Sequence, residues 1–478
     1  MLTVAYLANL LPSPVEPYVM EEIEELRRRG VRVVAGSVRR PQTRSEKNRE
    51  WDPQIVLQSL NLAVLARAAV LCARKWALLA PLMKRILWAG REGMGKRMKA
   101  LVHTFQGACY AVLLEGRGVE HIHVHHGYFG SWIAMTAARL MEVEFSMTLH
   151  GSDLLVHGVY LDTKLAHCAF CLTISEYNRN YILRQYPGVD PGKVLVARLG
   201  VDVCEDASPT DLLKRRVKIP TLSPQRTRRQ GCGTHDRDSF HILTVGRLHA
   251  VKDHAFLVRA CSELAARGLH FQCEIAGEGP ERKRLERLIS SCGLSERVKL
   301  LGHVRHEEMN ALYDGADLIV ITSRSEGIPL VLMEAMARGK IVLAPAITGI
   351  PELITAGESG FLYEPGSMGD FVGLVLLIHS LGQASFAGTP AENLTEKTGH
   401  GSVSADSTDG ALERIGRAAR ERVRQKFNRK INLEIFAETL IERVRAGNVR
   451  TGSEYGGHEN PVLQQVQLSL QRDGNLPV

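Results

Sequence analysis

Apolar residues along this chain recur with two different periods, and the alternation between them outlines the fold. Leu2 to Leu10 is a near-continuous apolar run, the pattern of a strand buried on both faces. Glu16 to Arg29 then sets Val19, Ile23 and Leu26 at helical spacing. Acids lead that segment and arginines close it, the order a helix dipole favours. Gly30 ends it, and VRVVAGSV follows as the next strand, so the chain opens as a βαβ unit. Strand-like segments return at 121–127, 144–151 and 168–175, each running into a polar or glycine-containing loop. A cleaner alternation begins at Phe240, where strands HILTVG, HFQCEIAG, RVKLLGHV, DLIVITS and KIVLAPA each precede a helical stretch. Such repetition predicts a parallel sheet covered on both faces. The expected class is α/β, with two doubly wound, Rossmann-like domains.

Length and composition set the boundaries. A chain of 478 residues, 45% hydrophobic, holds two independent cores. The N-terminal domain is expected over 1–203, with a basic helical insertion at about 56–115. Residues 204–239 lack apolar period and read as a partly disordered linker. The second domain is expected over 240–410, with a flexible insertion at about 383–410. Residues 411–447 read as charged amphipathic helices and 448–478 as a disordered tail. Net charge is +8 with a sequence pI of about 9.0, which favours polyanionic partners without choosing among them. Between Leu60 and Ala100 the cations 67, 74, 75, 84, 85, 91, 96, 97 and 99 face a single acid, Glu92. That stretch is expected to meet anionic lipid. The apolar region Val56 to Ala80 is interrupted by Arg67, Arg74 and Lys75, poor material for a spanning helix. Nine cysteines with no repeated spacing fit a reducing compartment. The N-terminus lacks the basic start and small-residue cleavage site of a signal peptide.

Three segments carry chemistry. In SEGIPLVLMEAMARG, Glu326 lies in a loop before an apolar helix that contains Glu334. Pro329 suits the first helical turn and Gly339 the stop. A carboxylate on a buried helix needs a partner, and ribose hydroxyls supply one. The free amides of Gly327, Ile328 and Leu330 form an anion or oxygen site. In VGRLHAVKD, Gly246 ends a strand and allows close backbone approach, and Arg247 and Lys252 follow, two cations able to hold a diphosphate leaving group without a metal. The turn IAGEGP adds Gly277 and Gly279.

In order and spacing these three elements resemble family 4 of the retaining glycosyltransferases, with its G-R-L…K element, G-x-G-P turn and E-x7-E motif. The resemblance is tight over 240–366 and looser over 1–202, where VEPYVMEEIEELRRRG, HIHVHHG, TLHGSDLL, LTISEYNRNY and ARLGVD are similar to the branch that builds exopolysaccharides such as colanic acid. It implies the GT-B fold, two Rossmann-like domains facing a central cleft with the helices of 411–447 packing back across the hinge to the N-terminal domain, and a retaining transfer from a nucleoside-diphosphate sugar with no metal or cofactor. It implies that Arg247 and Lys252 bind the diphosphate, Glu334 the ribose and Glu326 the hydroxyls of the transferred sugar. His150 would face the anomeric centre or the acceptor, with Asp153 and Glu16 on the acceptor side. The implied partners are a nucleotide sugar and a glycan or lipid-linked acceptor, not nucleic acid. The implied location is cytoplasmic, peripheral on the inner face of a membrane. The loop LPSPVEPY departs from the paired glycines of many relatives.

Blander readings compete elsewhere. His121, His123 and His125 share one strand face and are expected to be buried or cleft-lining rather than metal ligands. Cys168 and Cys171 lie inside an apolar strand and are expected to be packed thiols. Asp236-Arg-Asp238 imitates a metal-binding motif but lies in the linker. Two rivals fit the same scaffold. One is a nucleotide-sugar 2-epimerase, which would consume donor without acceptor. The other is a non-catalytic sugar-nucleotide-binding or membrane-scaffold protein.

Overall fold

The computed structural model describes residues 1–13, 16–40, 53–58, 60–90, 92–155, 158–203, 239–387 and 410–451. The segments read as linker, insertion and tail lie almost wholly outside the described residues, as does Asp236-Arg-Asp238. The first sheet holds β1 (Thr3–Leu10), β2 (Arg32–Arg39), β3 (Ile55–Val56), β4 (His121–His125), β5 (Glu144–Leu149), β6 (Phe170–Thr173) and β7 (Val194–Val196). The second holds β8 (Phe240–Val245), β9 (Phe271–Ala276), β10 (Val298–Gly302), β11 (Leu318–Val320), β12 (Ile341–Pro345) and β13 (Phe361–Tyr363). Their orders are β3-β2-β1-β4-β5-β6-β7 and β10-β9-β8-β11-β12-β13, with every pair parallel. Both are doubly wound. The direction of winding reverses between β1 and β4 in one and between β8 and β11 in the other. Crevices open beyond the C-terminal ends of strands at such reversals.

The apolar run at the start has no alternation because β1 is buried on both faces from Thr3 to Ala8. Helix α1 (Tyr18–Arg28) turns Val19, Glu22, Ile23 and Leu26 into the core. The basic region folds as α2 (Leu62–Arg74), α3 (Trp76–Leu87) and α4 (Met94–Leu114), which pack together and, through α4, onto α5 (Phe129–Met141). Short helices α6 (Ser152–Leu155) and α7 (Leu161–His167) lead to α8 (Glu176–Gln185). The second sheet is covered by α9 (His254–Ala266), α10 (Arg282–Ser291), α11 (His306–Gly315), α12 (Leu330–Ala337), α13 (Ile350–Leu353) and α14 (Met368–Ala387). No helix among the described residues is long and apolar enough to cross a membrane.

Two boundaries move relative to the sequence expectation. Helix α14 continues through Gln383 to Ala387, and the last helix runs to Thr451, because small and polar residues at a helix end do not stop it without a breaker. The C-terminal helical region also divides. In α15 (Ala411–Lys426), Ile415, Ala419 and Val423 join the core around the second sheet. In α16 (Arg429–Thr451), Phe436, Ala437, Leu440, Ile441 and Val444 join Val4, Val19 and Ile23 in the N-terminal core. The chain crosses beside Val201, whose amide donates to Phe427 O (2.9 Å) and whose carbonyl accepts from the amide of Arg429 (3.0 Å).

Candidate active site

The groups expected on the donor side come together at the β8/β11 reversal. Beyond β8 the chain passes Gly246 and Arg247 into a short turn ending at Lys252; beyond β11 it passes Thr322 and Ser323 to Glu326. Lys252 Nζ and Glu326 Oε1 are 2.6 Å apart, and Ser323 donates to the same oxygen at 2.5 Å. The Thr322 hydroxyl bonds the carbonyls of Lys252 (3.1 Å) and Asp253 (3.2 Å), which ties the two loops together. The Thr348 hydroxyl bonds the carbonyl of Glu326. Arg247 is exposed, and its guanidinium forms no ion pair among the described residues. Thr244, Lys252, His254, Ser323, Glu326 and Pro329 line a recess here.

Two expectations need correcting. Gly246 was expected to permit close backbone approach, yet a Cβ there would meet only side chains at ordinary contact distance, Lys252 at 3.8 Å and His254 at 3.9 Å. The bare Cα is needed at Gly277, where φ is 152° and a Cβ would lie 1.9 Å from the Gly246 carbonyl oxygen; at Gly279 it would lie 2.3 Å from Leu248 O. Pro329 is not inside the first turn. It caps α12 from extended backbone (φ −74°, ψ 122°), and Leu330 begins the helix. No acceptor among the described residues takes the amides of Gly327, Ile328 and Leu330. Glu334, one and a half turns in, accepts from the Tyr313 hydroxyl at 2.7 Å, a partner on α11 that spacing did not reveal.

The groups expected on the acceptor side come together at the β1/β4 reversal around a group of histidines. His121 and His123 are fully buried and hydrogen-bond Ser146 (2.7 and 2.8 Å), while His123 also reaches Thr148 (3.0 Å). Burial pushes His121 down to about 3 and His123 well below its ordinary value. His125 has the carboxylate partner that spacing alone did not show. Its Nε2 lies 2.6 Å from Glu22 Oε2, and its Nδ1 lies 2.9 Å from His150 Nε2. Next to it, His126 Nε2 sits 2.9 Å from Glu16 Oε1 and its Nδ1 sits 3.5 Å from Asp153 Oδ2. Burial opposes charge on His126, but Asp153 and Glu16 outweigh it and raise the imidazole to about 10. Burial, then the charge on His126, holds His150 well below its ordinary range.

Asp153 does not have the place expected of an acceptor contact. It is completely buried, and its carboxylate accepts from the amides of Gly127 (2.8 Å), His150 (3.1 Å) and Gly151 (2.8 Å). It shapes the loop that carries His150 instead of facing solvent. Lys164, also buried, donates to the carbonyls of Gly127, Tyr128 and Val159, and burial lowers it to about 7. Among the described residues no three His, Cys, Asp or Glu side chains are grouped so as to hold a metal ion. Cys168 and Cys171 are buried free thiols, Cys168 pushed up to about 12 by that burial.

The two sides meet. A Cβ on Gly151 would lie 3.1 Å from the Gly327 amide, and one on Gly327 would lie 2.7 Å from His150 O. The loop of Glu326 therefore abuts the loop of His150. Glu352 of α13 reinforces the contact by accepting from the amides of Glu176 (2.9 Å) and Tyr177 (2.6 Å) at the start of α8.

Residues 229–384, which contain every donor-side group above, match the family described as glycosyl transferases group 1. That match lies in the C-terminal half of the chain. A putative colanic acid biosynthesis glycosyltransferase, WcaL of Salmonella typhimurium, is 34% identical over 37% of this chain and 39% of its own length. The alpha-D-kanosaminyltransferase of Streptomyces kanamyceticus is 35% identical over 29% of this chain and 35% of its own. The chain thus spans well under two thirds of the curated relatives it matches. Solved structures extend the likeness to both group 1 domain and N-terminal domain. The sucrose-phosphate synthase of Thermosynechococcus elongatus superposes with a TM-score of 0.64 at 16% identity, covering 93% of this chain and 100% of that one. Anabaena Alr3699/HepE in complex with UDP and glucose gives 0.60 at 18%, covering 92% and 100%. At such identities the likeness concerns the fold, which is GT-B.

Proposed function

We propose that this protein is a retaining glycosyltransferase that moves a sugar from a nucleoside diphosphate to a glycan or lipid-linked acceptor in polysaccharide synthesis, without a metal. The observation that carries the reading is the meeting of the Lys252–Glu326 loop pair with the His150–Gly151 loop across the cleft. Arg247, Lys252 and the open amides at Gly327, Ile328 and Leu330 supply the positive potential on which a leaving diphosphate gathers charge. Glu334, oriented by Tyr313, faces the ribose. Glu326, held by Lys252 and Ser323, takes hydroxyls of the transferred sugar.

In the reaction the anomeric C–O bond to the diphosphate breaks, and an acceptor hydroxyl forms the new bond on the same face. The hydroxyl proton passes to the departing phosphate oxygen, so no enzyme nucleophile is needed. His150 and Glu16 stand on the acceptor side. The relatives' names support the class, and the solved complex with UDP and glucose supports the donor type.

Membrane attachment belongs to the same reading. Leu62, Trp76, Trp88, Met94, Met98 and Val102 are exposed on α2 to α4 or just beyond α3, and the last three lie on one helical face. Arg74, Lys84, Lys96 and Lys99 are exposed among them, while Glu92 is held by Arg85 at 2.9 Å. Apolar side chains among unopposed cations suit an anionic lipid surface and repel a second copy of themselves.

The testing experiment is calorimetric titration of UDP, GDP and ADP, with and without EDTA, into wild type and Arg247→Ala. One nucleotide is expected to bind regardless of chelator, with affinity falling roughly tenfold or more in the variant. Binding abolished by EDTA would overturn the metal-free donor site.

A further inference from the structure

A buried chain of polar groups runs from α1 to the cleft and plays no part in holding the donor. Tyr6 OH bonds Glu22 Oε2 and lies 2.5 Å from His125 Nε2; Glu22 Oε2 lies 2.6 Å from that nitrogen; His125 Nδ1 lies 2.9 Å from His150 Nε2. Glu22, His125 and Tyr6 have almost no exposed surface. We propose that Glu22 and His125 are positioning residues that hold His150 neutral, with its proton on Nε2 and its Nδ1 lone pair free to accept a hydrogen bond from a sugar hydroxyl. The identity of that hydroxyl rests on the glycosyltransferase reading; the tautomer does not.

The proton positions follow from what each atom can do. An ionised carboxylate only accepts, so at 2.6 Å His125 Nε2 carries a hydrogen; without one, two lone pairs would face each other in a buried site. With that one hydrogen on Nε2, the ring nitrogen that faces His150 keeps its lone pair. His125 Nδ1 is therefore the acceptor, and the hydrogen in the 2.9 Å contact belongs to His150 Nε2. Among the described residues nothing hydrogen-bonds His150 Nδ1. The ring cannot readily turn away. The His150 amide is held by Asp153, its carbonyl accepts from Asn178 Nδ2 at 2.6 Å, and Tyr18 lies against the ring at a centroid distance of 5.0 Å. A buried imidazole oriented by a carboxylate through its other nitrogen is a general device for fixing a tautomer.

The test is nitrogen NMR of the full chain labelled at histidine, with the His150 signals assigned by their loss in His150→Gln. Wild type is expected to show His150 neutral with hydrogen on Nε2 near neutral pH. Glu22→Gln, whose amide can donate as well as accept, is expected to mix the tautomers and lower kcat roughly tenfold or more with unchanged nucleoside diphosphate affinity. Glu22→Asp is expected to recover both in part. Tyr6→Phe removes a neighbouring hydroxyl but keeps the carboxylate, so the tautomer should stay; this separates a general core defect from a specific one. Hydrogen on His150 Nδ1 in wild type, or an unmoved tautomer in Glu22→Gln, would overturn the proposal, as would a shifted tautomer with unchanged kcat. The expected tautomers in a protein that transfers no sugar would sustain the proton assignment and sink the catalytic reading instead.

Discussion

His126 takes a left-handed backbone conformation, φ 71°, and buries its imidazole between two carboxylates. Its charge links stability to pH. Because Asp153 and Glu16 raise it from 6.5 to about 10, its contribution is fully present below about pH 6.5 and is lost as pH rises through about 10. The unfolding free energy is expected to fall across that window, by at most about 1.4 kcal/mol per pH unit from this group. His126→Gln should flatten the profile, and a flat wild-type profile would mean the cluster does not charge. Two neighbouring glycines offer a sharper contrast. Gly277→Ala is expected to cost roughly 1–3 kcal/mol in thermal unfolding, because its Cβ would collide with the Gly246 carbonyl. Gly246→Ala, whose Cβ finds open van der Waals contact, should cost much less. The residue that sequence reasoning passed over was Glu22. It lies in an acidic run that looks solvated, yet it falls three residues from Val19 and four from Leu26, inside the apolar stripe of α1. A charge on that stripe was the available signal. Its partner, 103 residues away, was not visible in any local pattern.

Among the elements, α8 has the least ordinary start. Two amides of its first turn are held by Glu352 from the opposite domain, with Arg198 3.9 Å from the same carboxylate. Glu352 thus ties one domain to the other by a helix end. In Glu352→Ala the radius of gyration measured by X-ray scattering is expected to grow while nucleotide affinity stays; an unchanged radius would show that the loop contact at Gly151 and Gly327 suffices alone. Elements such as β1, α1 and the β8–β13 alternation were legible because each is set by local period. The expected donor loop came from the spacing of Glu326 and Glu334, which a helix start converts directly into geometry. The Glu352 cap depends on residues brought together over long sequence distances, about which periodicity is silent; the return of the last helix to the N-terminal core was expected from the family resemblance and not from periodicity.

At the scale of the molecule, one side of the N-terminal domain is apolar and basic while the cleft lies at the strand ends. If the α2–α4 surface meets lipid, sedimentation with anionic vesicles should be strong at low salt, fall as salt rises and drop roughly tenfold in the double variant Trp76→Ser/Trp88→Ser. Equal binding to neutral vesicles would rule out the electrostatic part. The crossing beside Val201 has a consequence of a different kind, for the order in which the protein is made. The N-terminal domain is synthesised first but receives Phe436, Leu440 and Val444 last. Until α16 leaves the ribosome, the face of α1 and β1 that it covers has no lid. A growing chain must keep that apolar face from other chains while the whole second domain is translated, so the newest segment completes the oldest core.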